Sequence, residues 1–109
     1  MRPEQGDVVR SLDPFKLGSE RQRPWLIVNN KSHPFDEEQF IAVAVSTTKY
    51  DRSLALDPEV WETGGVPQES FVSPWAIHSP RIEDIVAWQG RTTDGFVDRV
   101  LDELETYLR

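Results

Sequence analysis

Short apolar runs, separated by turn residues, make up most of the first ninety positions of the chain. Residues 25–29 begin with four consecutive apolar residues, a run too short for a helix and typical of a buried strand. Residues 39–48 alternate large apolar residues with alanine and end in Ser46, Thr47 and Thr48. We expect a β-strand from each run, and a rim of the sheet at the three hydroxyl residues.

Three further segments have the composition of short strands. Residues 6–12 begin with a Gly-Asp turn signal, and residues 54–56 are a short apolar run. Residues 70–77 form another run, which contains Pro74. Because proline has no backbone N–H, Pro74 is expected at a sheet edge or at a bulge.

The last segment has the pattern of a helix. Thr92 or Thr93 can serve as its N-cap, with Asp94 in the first turn. Seven apolar residues then recur with helical spacing: Phe96, Val97, Val100, Leu101, Leu104, Tyr107 and Leu108. Several short strands followed by one helix predict a mainly β fold, a small antiparallel barrel with a C-terminal α-helix. At 109 residues, we expect a single domain over residues 1–109.

Arg23 stands where a polar loop meets the strand of residues 25–29. Pro24 suits the first position of that strand, so Arg23 is expected at a rim of the sheet. The planar guanidinium of an arginine can grip two phosphate oxygens. The alternative is a solvated surface arginine beside Glu20.

Net charge limits the functions that the chain can have. The net charge is −7, and the excess acid lies in residues 53–109, which hold 4 Lys/Arg and 11 Asp/Glu. Residues 1–52 hold eight of each. An acidic chain is a poor non-specific binder of nucleic acid, because Lys and Arg supply most of that affinity. A local basic site in the balanced half remains compatible with this charge.

Metal, thiol and membrane chemistry are disfavoured by the same composition. The chain has no cysteine, and His33 and His78 lie far apart in sequence, so we expect no metal site and no cofactor. No apolar run approaches 18 residues, and the first residues lack the apolar core of a signal peptide. We therefore expect a cytoplasmic protein that does not span a membrane.

Cleavage of RNA by its own 2′-hydroxyl is a reaction that these residue types can support. It needs a base, an acid and a cation for the crowded phosphoryl group, but no cofactor. Arg23 fits the cation, Ser46 or Thr47 could donate a hydrogen bond to the phosphate, and His78 titrates near neutral pH. The duller alternatives are hydroxyls that cap a strand end and a histidine in a loop that prolines flank.

The order of several short motifs resembles the MazF/PemK (Kid) family of toxins. Along the chain these motifs are Gly6-Asp7-Val8-Val9, Gly18-Ser19-Glu20, Arg23-Pro24, Ala44-Val45-Ser46-Thr47 and Ser70-Phe71-Val72, followed by the C-terminal helix. The resemblance covers nearly the whole chain. It implies an SH3-like barrel of the CcdB/MazF type, a homodimer, and an endoribonuclease that cuts single-stranded mRNA until a cognate antitoxin wraps it.

The resemblance also implies roles for individual residues. Arg23 matches the catalytic arginine that precedes a proline in the family, and Ser46 matches its strand-end threonine or serine, with Thr47 beside it. We add His78 to these three as a catalytic candidate. The candidates for substrate binding are Lys16, Glu20, Arg21 and Thr48.

One segment departs from the family. After the Ser-Val strand the family commonly has an acid and a glutamine, and then, after one intervening residue, an arginine. At the corresponding positions this chain has Trp75, Ala76 and His78. That acid is thought to act as the base in the Kid-like branch, so here three alternatives are open: His78 substitutes for it, Glu20 contributes, or cleavage is weak. A non-catalytic module that binds RNA or protein on the same barrel is the alternative, and a gyrase poison of the CcdB type is a weaker one.

Tryptophan content bears on assembly. Trp25, Trp61, Trp75 and Trp88 are more indole surface than the core of so small a barrel can bury. We therefore expect a homodimer.

Overall fold

The structure of the protein is a computed structural model, which describes residues 2–14 and 22–109. These residues form seven β-strands and one α-helix. The elements are β1 (Asp7–Leu12), β2 (Gln22–Ile27), β3 (Ala42–Ser46), β4 (Leu54–Ala55), β5 (Trp61–Gly64), β6 (Phe71–His78), β7 (Ile85–Thr92) and α1 (Asp94–Leu108). Two single-turn 3-10 helices, Pro58–Val60 and Ile82–Asp84, precede β5 and β7.

The strands form one antiparallel sheet in the order β4-β6-β3-β2-β1-β7-β5. The sheet curls into a half-barrel, whose terminal strands are β4 and β5. The predicted fold, an antiparallel β structure of this barrel type with a C-terminal helix, is confirmed.

Two hydrophobic clusters occupy the two faces of the sheet, because successive side chains along a strand point to opposite faces. The helix-side cluster consists of Val8, Leu26, Val28, Val43, Val45, Leu56, Val60, Val72, Phe96 and Val100. The site-side cluster consists of Val9, Trp25, Ile27, Phe40, Ala42 and Ala44. Neighbours such as Val8 and Val9 therefore belong to different clusters, and both faces of the central strands are buried.

The predicted helix is present, and Thr93 is its N-cap. The Thr93 hydroxyl accepts a hydrogen bond of 3.2 Å from the backbone N–H of Phe96, which satisfies a donor that the first turn leaves free. The buried stripe ends at Leu104, whereas the last two residues of the predicted stripe, Tyr107 and Leu108, are exposed. The apolar spacing therefore continues beyond the buried part of the helix, and the Tyr107 ring there contacts Trp75 of β6.

Several strand boundaries differ from those predicted. β2 begins at Gln22 rather than at Pro24, and β5 lies in a segment for which no strand was predicted. Pro74 lies in β6 where the register with β3 shifts, as expected for proline at a bulge. His78 is the last residue of β6 and not a loop residue, because it pairs with Ala42 of β3.

Gly64 of β5 lies opposite Gly90 of β7 in the sheet. Gly64 has φ +72, and a Cβ added there would lie 2.3 Å from the carbonyl oxygen of Gln89. A Cβ on Gly90 would lie 2.7 Å from the carbonyl oxygen of Thr63. The two strands approach so closely that only glycine fits at this pair.

Candidate active site

Arg23 lies on β2 where, among the described residues, that strand pairs with β1 alone. It is opposite Ser11 of β1, while the pairing of β2 with β3 begins two residues later, at Trp25. Pro24 therefore occupies an edge position, at which a missing N–H is tolerated. The guanidinium consequently stands at a rim of the sheet, as the sequence predicted, although Pro24 is the third residue of its strand and not the first.

The guanidinium of Arg23 lies between a buried carboxylate and a buried indole. Its Nη1 is 3.5 Å from Oδ2 of Asp13, whose side chain is only 2% exposed, while the Arg23 side chain remains 30% exposed. The guanidinium carbon is 5.7 Å from the centre of the Trp25 ring, a cation–π distance. Two contacts thus hold the cation in place while part of its surface faces solvent.

An open pocket of about 460 Å³ joins Arg23 to the end of β3. Four residues predicted from the sequence line it: Arg23, Ser46, Thr47 and Thr48. Its other lining residues are Asp13, Gln22, Pro24, Val45, Tyr50 and Ser70. The two rims that the sequence suggested separately therefore meet at one concave surface, with a cation on one side and hydroxyl groups on the other.

The hydroxyl of Ser46 is held by a local turn. Its Oγ accepts a hydrogen bond of 2.9 Å from the N–H of Thr48 and donates one of 3.3 Å to the Thr48 carbonyl. Ser46 thus closes the strand end, as the duller alternative supposed, and still faces the pocket. The donated bond is long, so this proton can be redirected toward a ligand oxygen at small cost.

His78 approaches the same indole from β6. The centres of the His78 and Trp25 rings are 5.0 Å apart. Burial lowers the pKa of His78 from its ordinary value, and the carboxylates of Asp84 and Asp13 act in the opposite direction. The imidazole is therefore neutral at neutral pH and able to accept a proton. His78 does not line the pocket of Arg23, and Trp25 is the residue that both of them contact.

The N–H of the Trp25 indole is buried and, within the part of the chain that the structure describes, has no hydrogen-bond partner. A buried donor left without a partner costs about 1–3 kcal/mol. The indole is 1% exposed and packs against the alanines of the site-side cluster. The same indole is the ring that Arg23 and His78 both contact.

Three of the predicted site residues cannot be placed relative to this pocket. Lys16, Glu20 and Arg21 lie outside the described residues. Asp13 was not predicted as a site residue, because its position before Pro14 is also typical of a turn that ends a strand. Its burial beside Arg23 depends on the pairing of β1 with β2, which the nine residues between the two strands do not reveal.

Residues 2–14 and 22–109 contain no group of three His, Asp or Glu side chains that could hold a metal ion. In the same ranges, no helix combines the length and the apolar character needed to span a bilayer.

Comparison with solved structures finds the same fold in proteins described as endoribonucleases or as MazF. An endoribonuclease in complex with its cognate antitoxin, from a mycobacterial species, superposes with a TM-score of 0.75 at 24% identity, over 97% of this chain and 94% of that one. MazE-MazF from Deinococcus radiodurans gives a TM-score of 0.72 at 14% identity, over 99% and 96% of the two chains. The Mycobacterium tuberculosis toxin MazF-mt6 gives 0.70 at 14% identity, over 94% and 95%. These similarities confirm the MazF fold.

No protein-family model and no curated protein sequence matches the chain.

Proposed function

We propose that this protein is the toxin of a type II toxin–antitoxin pair, an endoribonuclease that cleaves single-stranded mRNA without a metal ion. The pocket that joins Arg23 to Ser46 is the observation that carries the proposal. Its support from outside the chain is the fold shared with solved structures described as endoribonucleases and MazF toxins. We also propose that residues 1–109 act as one toxin domain.

The reaction is a transesterification within the RNA strand. The 2′-oxygen attacks the adjacent phosphorus, a bond forms between them, and the bond from phosphorus to the 5′-oxygen breaks. The products are a 2′,3′-cyclic phosphate and a free 5′-hydroxyl. The guanidinium of Arg23 binds the non-bridging oxygens, whose negative charge increases in the transition state. The hydroxyls of Ser46, Thr47 and Thr48 donate hydrogen bonds to the same phosphate.

We assign proton transfer to His78. A neutral imidazole can take the proton of the 2′-hydroxyl, and the imidazolium can return a proton to the departing 5′-oxygen. The lowered pKa keeps His78 in the accepting form before the reaction. Its position against Trp25, which Arg23 also contacts, supports the assignment. Lys16, Glu20 and Arg21, in the loop before Arg23, are proposed to bind the RNA.

The proposed partners follow from the same comparisons. One of the similar structures is described as a complex with its cognate antitoxin and another as MazE-MazF, and we propose a cognate antitoxin for this chain. We also propose a homodimer, since Trp88 and Val86 of β7 are exposed in the single chain. Because mRNA is the proposed substrate, the cytoplasm is the proposed compartment.

A cleavage assay tests the proposal. The purified protein, incubated with single-stranded RNA in the presence of a chelator, should release fragments that end in a cyclic phosphate. Arg23→Ala should slow cleavage about 10²- to 10³-fold, the usual loss when one donor to a transition-state oxyanion is removed. Arg10→Ala is the matched control, because Arg10 is an exposed arginine on the neighbouring strand β1.

Two outcomes would contradict the proposal. Equal cleavage by wild type and Arg23→Ala would remove Arg23 from the mechanism. Binding of RNA without cleavage under all conditions would favour the non-catalytic module instead, for which the absence of an acid at Trp75 and of an amide at Ala76 is the motivating observation. Intact mRNA with blocked DNA replication would point to a gyrase poison.

A further inference from the structure

Three exposed aromatic rings form a continuous series across the surface. Tyr50 lies in the connection from β3 to β4, Trp75 on β6 and Tyr107 in the last turn of α1. The ring centres of Tyr50 and Trp75 are 6.1 Å apart at 78°, and those of Trp75 and Tyr107 are 6.2 Å apart at 81°. The three residues remain 52%, 41% and 39% exposed. Edge-to-face contact between neighbours leaves ring faces available to a ligand.

A tight turn fixes the position of Tyr50. Its N–H donates a hydrogen bond of 3.0 Å to Oγ of Ser53, and the N–H of Ser53 donates one of 3.1 Å to the Tyr50 carbonyl. Within this turn Arg52 has φ +74, the left-handed region that a residue with a side chain rarely adopts. The backbone of this turn is therefore locally strained at Arg52, and both Tyr50 and Arg52 are exposed on the surface.

Arg52 supports the other end of the series. Its guanidinium carbon is 5.3 Å from the centre of the Tyr107 ring, and its Nη2 is 2.7 Å from Oε2 of Glu103. The Tyr107 hydroxyl also donates a hydrogen bond to that carboxylate. The charge of Glu103 is therefore balanced, and the Tyr107 ring is held on two sides.

The series begins at the candidate active site. Tyr50 lines the pocket of Arg23 and also contacts Trp75, so one residue belongs to both surfaces. An RNA strand whose phosphate binds at Arg23 therefore has a neighbouring base within reach of these rings. A base is neutral and presents a π-face, so the nearby carboxylate of Asp51 does not oppose its stacking.

We propose that Tyr50, Trp75 and Tyr107 form an aromatic platform on which an unpaired base of single-stranded RNA stacks, adjacent to the nucleotide whose phosphate Arg23 binds. This inference rests on the proposed function and adds a base-binding subsite to it. Unpaired bases are commonly recognised by stacking on aromatic side chains. Trp75, which contacts both other rings, carries the largest part of the binding.

The test measures binding without cleavage. The probe is a fluorescein-labelled 2′-O-methyl heptanucleotide of mixed sequence, which has no free 2′-hydroxyl to attack phosphorus, and affinity is read by fluorescence anisotropy. Trp75→Leu should weaken binding about 5- to 150-fold, the range found for loss of one base–aromatic stack. Phe35→Leu is the matched control, since Phe35 is a 56% exposed ring in an edge contact with His33 and does not line the pocket of Arg23.

A second probe separates the base from the backbone. The same heptanucleotide with one base removed keeps every phosphate, and the removal is placed at each position in turn. At one position, removal of the base should weaken binding to the wild-type protein as much as Trp75→Leu weakens binding of the intact probe. Removal of that same base should not weaken binding to the Trp75→Leu protein any further. If Trp75→Leu and Phe35→Leu bind alike, or if Trp75→Leu weakens every abasic probe equally, the platform is overturned.

Two further measurements keep the outcomes distinct. If Trp75→Leu does not fold, as judged by circular dichroism, Tyr107→Leu on the helix surface replaces it, and wild-type affinity in that variant overturns the platform. A change in sedimentation mass for either variant identifies a self-contact and also overturns it. Arg23-dependent cleavage with equal binding by all variants rejects the platform and keeps the proposed function. Base-dependent binding without cleavage supports the platform and rejects the proposed function.

Discussion

The two faces of the sheet are both buried, but they are built from different residues. The helix-side cluster contains only large apolar side chains and is closed by Phe96 and Val100 of α1. The site-side cluster combines one tryptophan with Ala42 and Ala44, and it has Arg23 and His78 at its margin. The helix side is filled with apolar side chains that stabilise the fold. The site side has two alanines in place of larger residues, and polar groups contact its single indole.

A polar site is tolerated within so small a fold because the opposite face of the sheet is packed with apolar side chains. Within the described residues the buried N–H of Trp25 has no hydrogen-bond partner, and burial of the Asp13 carboxylate, even beside Arg23, has a desolvation cost. The apolar contacts of the helix side offset these costs, since the net stability of a domain is only about 5–15 kcal/mol. Changes on the two faces should therefore affect different measurements.

The largest effect on stability is expected at the helix side. Phe96→Ala should lower the free energy of unfolding by about 3–5 kcal/mol, because it removes a fully buried ring and leaves a cavity. Cleavage by the remaining folded protein should change little. Urea unfolding measures the loss, and Phe35→Ala, at an exposed phenylalanine, is the control. A loss of activity larger than the loss of folded protein would show that the two faces are coupled.

Overpacking of the site side should affect both measurements. Ala44 lies opposite Trp25 in the sheet, so Ala44→Leu should cost about 1–3 kcal/mol of stability and displace the indole. Cleavage should fall further than the folded fraction, because Arg23 rests on that ring. Ala55→Leu, at a half-buried alanine of β4, should leave the rate unchanged. Normal cleavage by a folded Ala44→Leu protein would contradict this view of the site side.

Asp13 should act on the rate by holding Arg23. Asp13→Asn keeps the shape but removes the charge, and we expect cleavage to slow about tenfold, equivalent to about 1.4 kcal/mol. Single-turnover cleavage measures the rate, and Asp98→Asn, at an exposed carboxylate of α1, is the control. If Asp13→Asn cleaves as fast as wild type, then the 3.5 Å contact with Arg23 does not position the guanidinium.

The smallest effect is a dependence of stability on pH at His78. Burial lowers its pKa below the ordinary 6.5, so the unfolded state binds its proton more readily than the folded state does. The free energy of unfolding should therefore rise as the pH increases toward the ordinary pKa of histidine and should fall as the pH decreases from it. His78→Gln should flatten this part of the profile, as measured by thermal unfolding between pH 5 and 8. An unchanged profile would mean that burial does not disfavour the imidazolium.

Local patterns allowed much of the fold to be predicted. The start of α1 depends on the Thr93 cap, and its buried stripe on helical spacing, and both are readable within a few residues. β5 could not be predicted, because Trp61–Gly64 has no alternating pattern and becomes a strand only by pairing with β7. The exposure of Tyr107 and its contact with Trp75 of β6 depend on tertiary packing, which no local signal records.

The site was partly predictable for the same reason. Arg23 and Ser46 stand beside recognisable strand ends, so their positions at rims followed from the pattern. That the two rims form one pocket follows from the pairing of β2 with β3. The roles of Asp13 and Trp25 depend on burial by distant segments, and the sequence showed them only as a turn residue and a strand residue.

The glycine pair between β5 and β7 affects how a mutational scan of this protein should be interpreted. If substitutions were scored by growth arrest, Gly64 and Gly90 would appear as intolerant as Arg23, although Gly64 is exposed and lines no part of the candidate site. The cause would be contact between two backbones, since any side chain would force the strands apart. A substitution at a functional residue would lower toxicity at normal protein abundance, whereas a substitution at either glycine would lower both. The two classes of position would be distinguished only if protein abundance is measured together with toxicity.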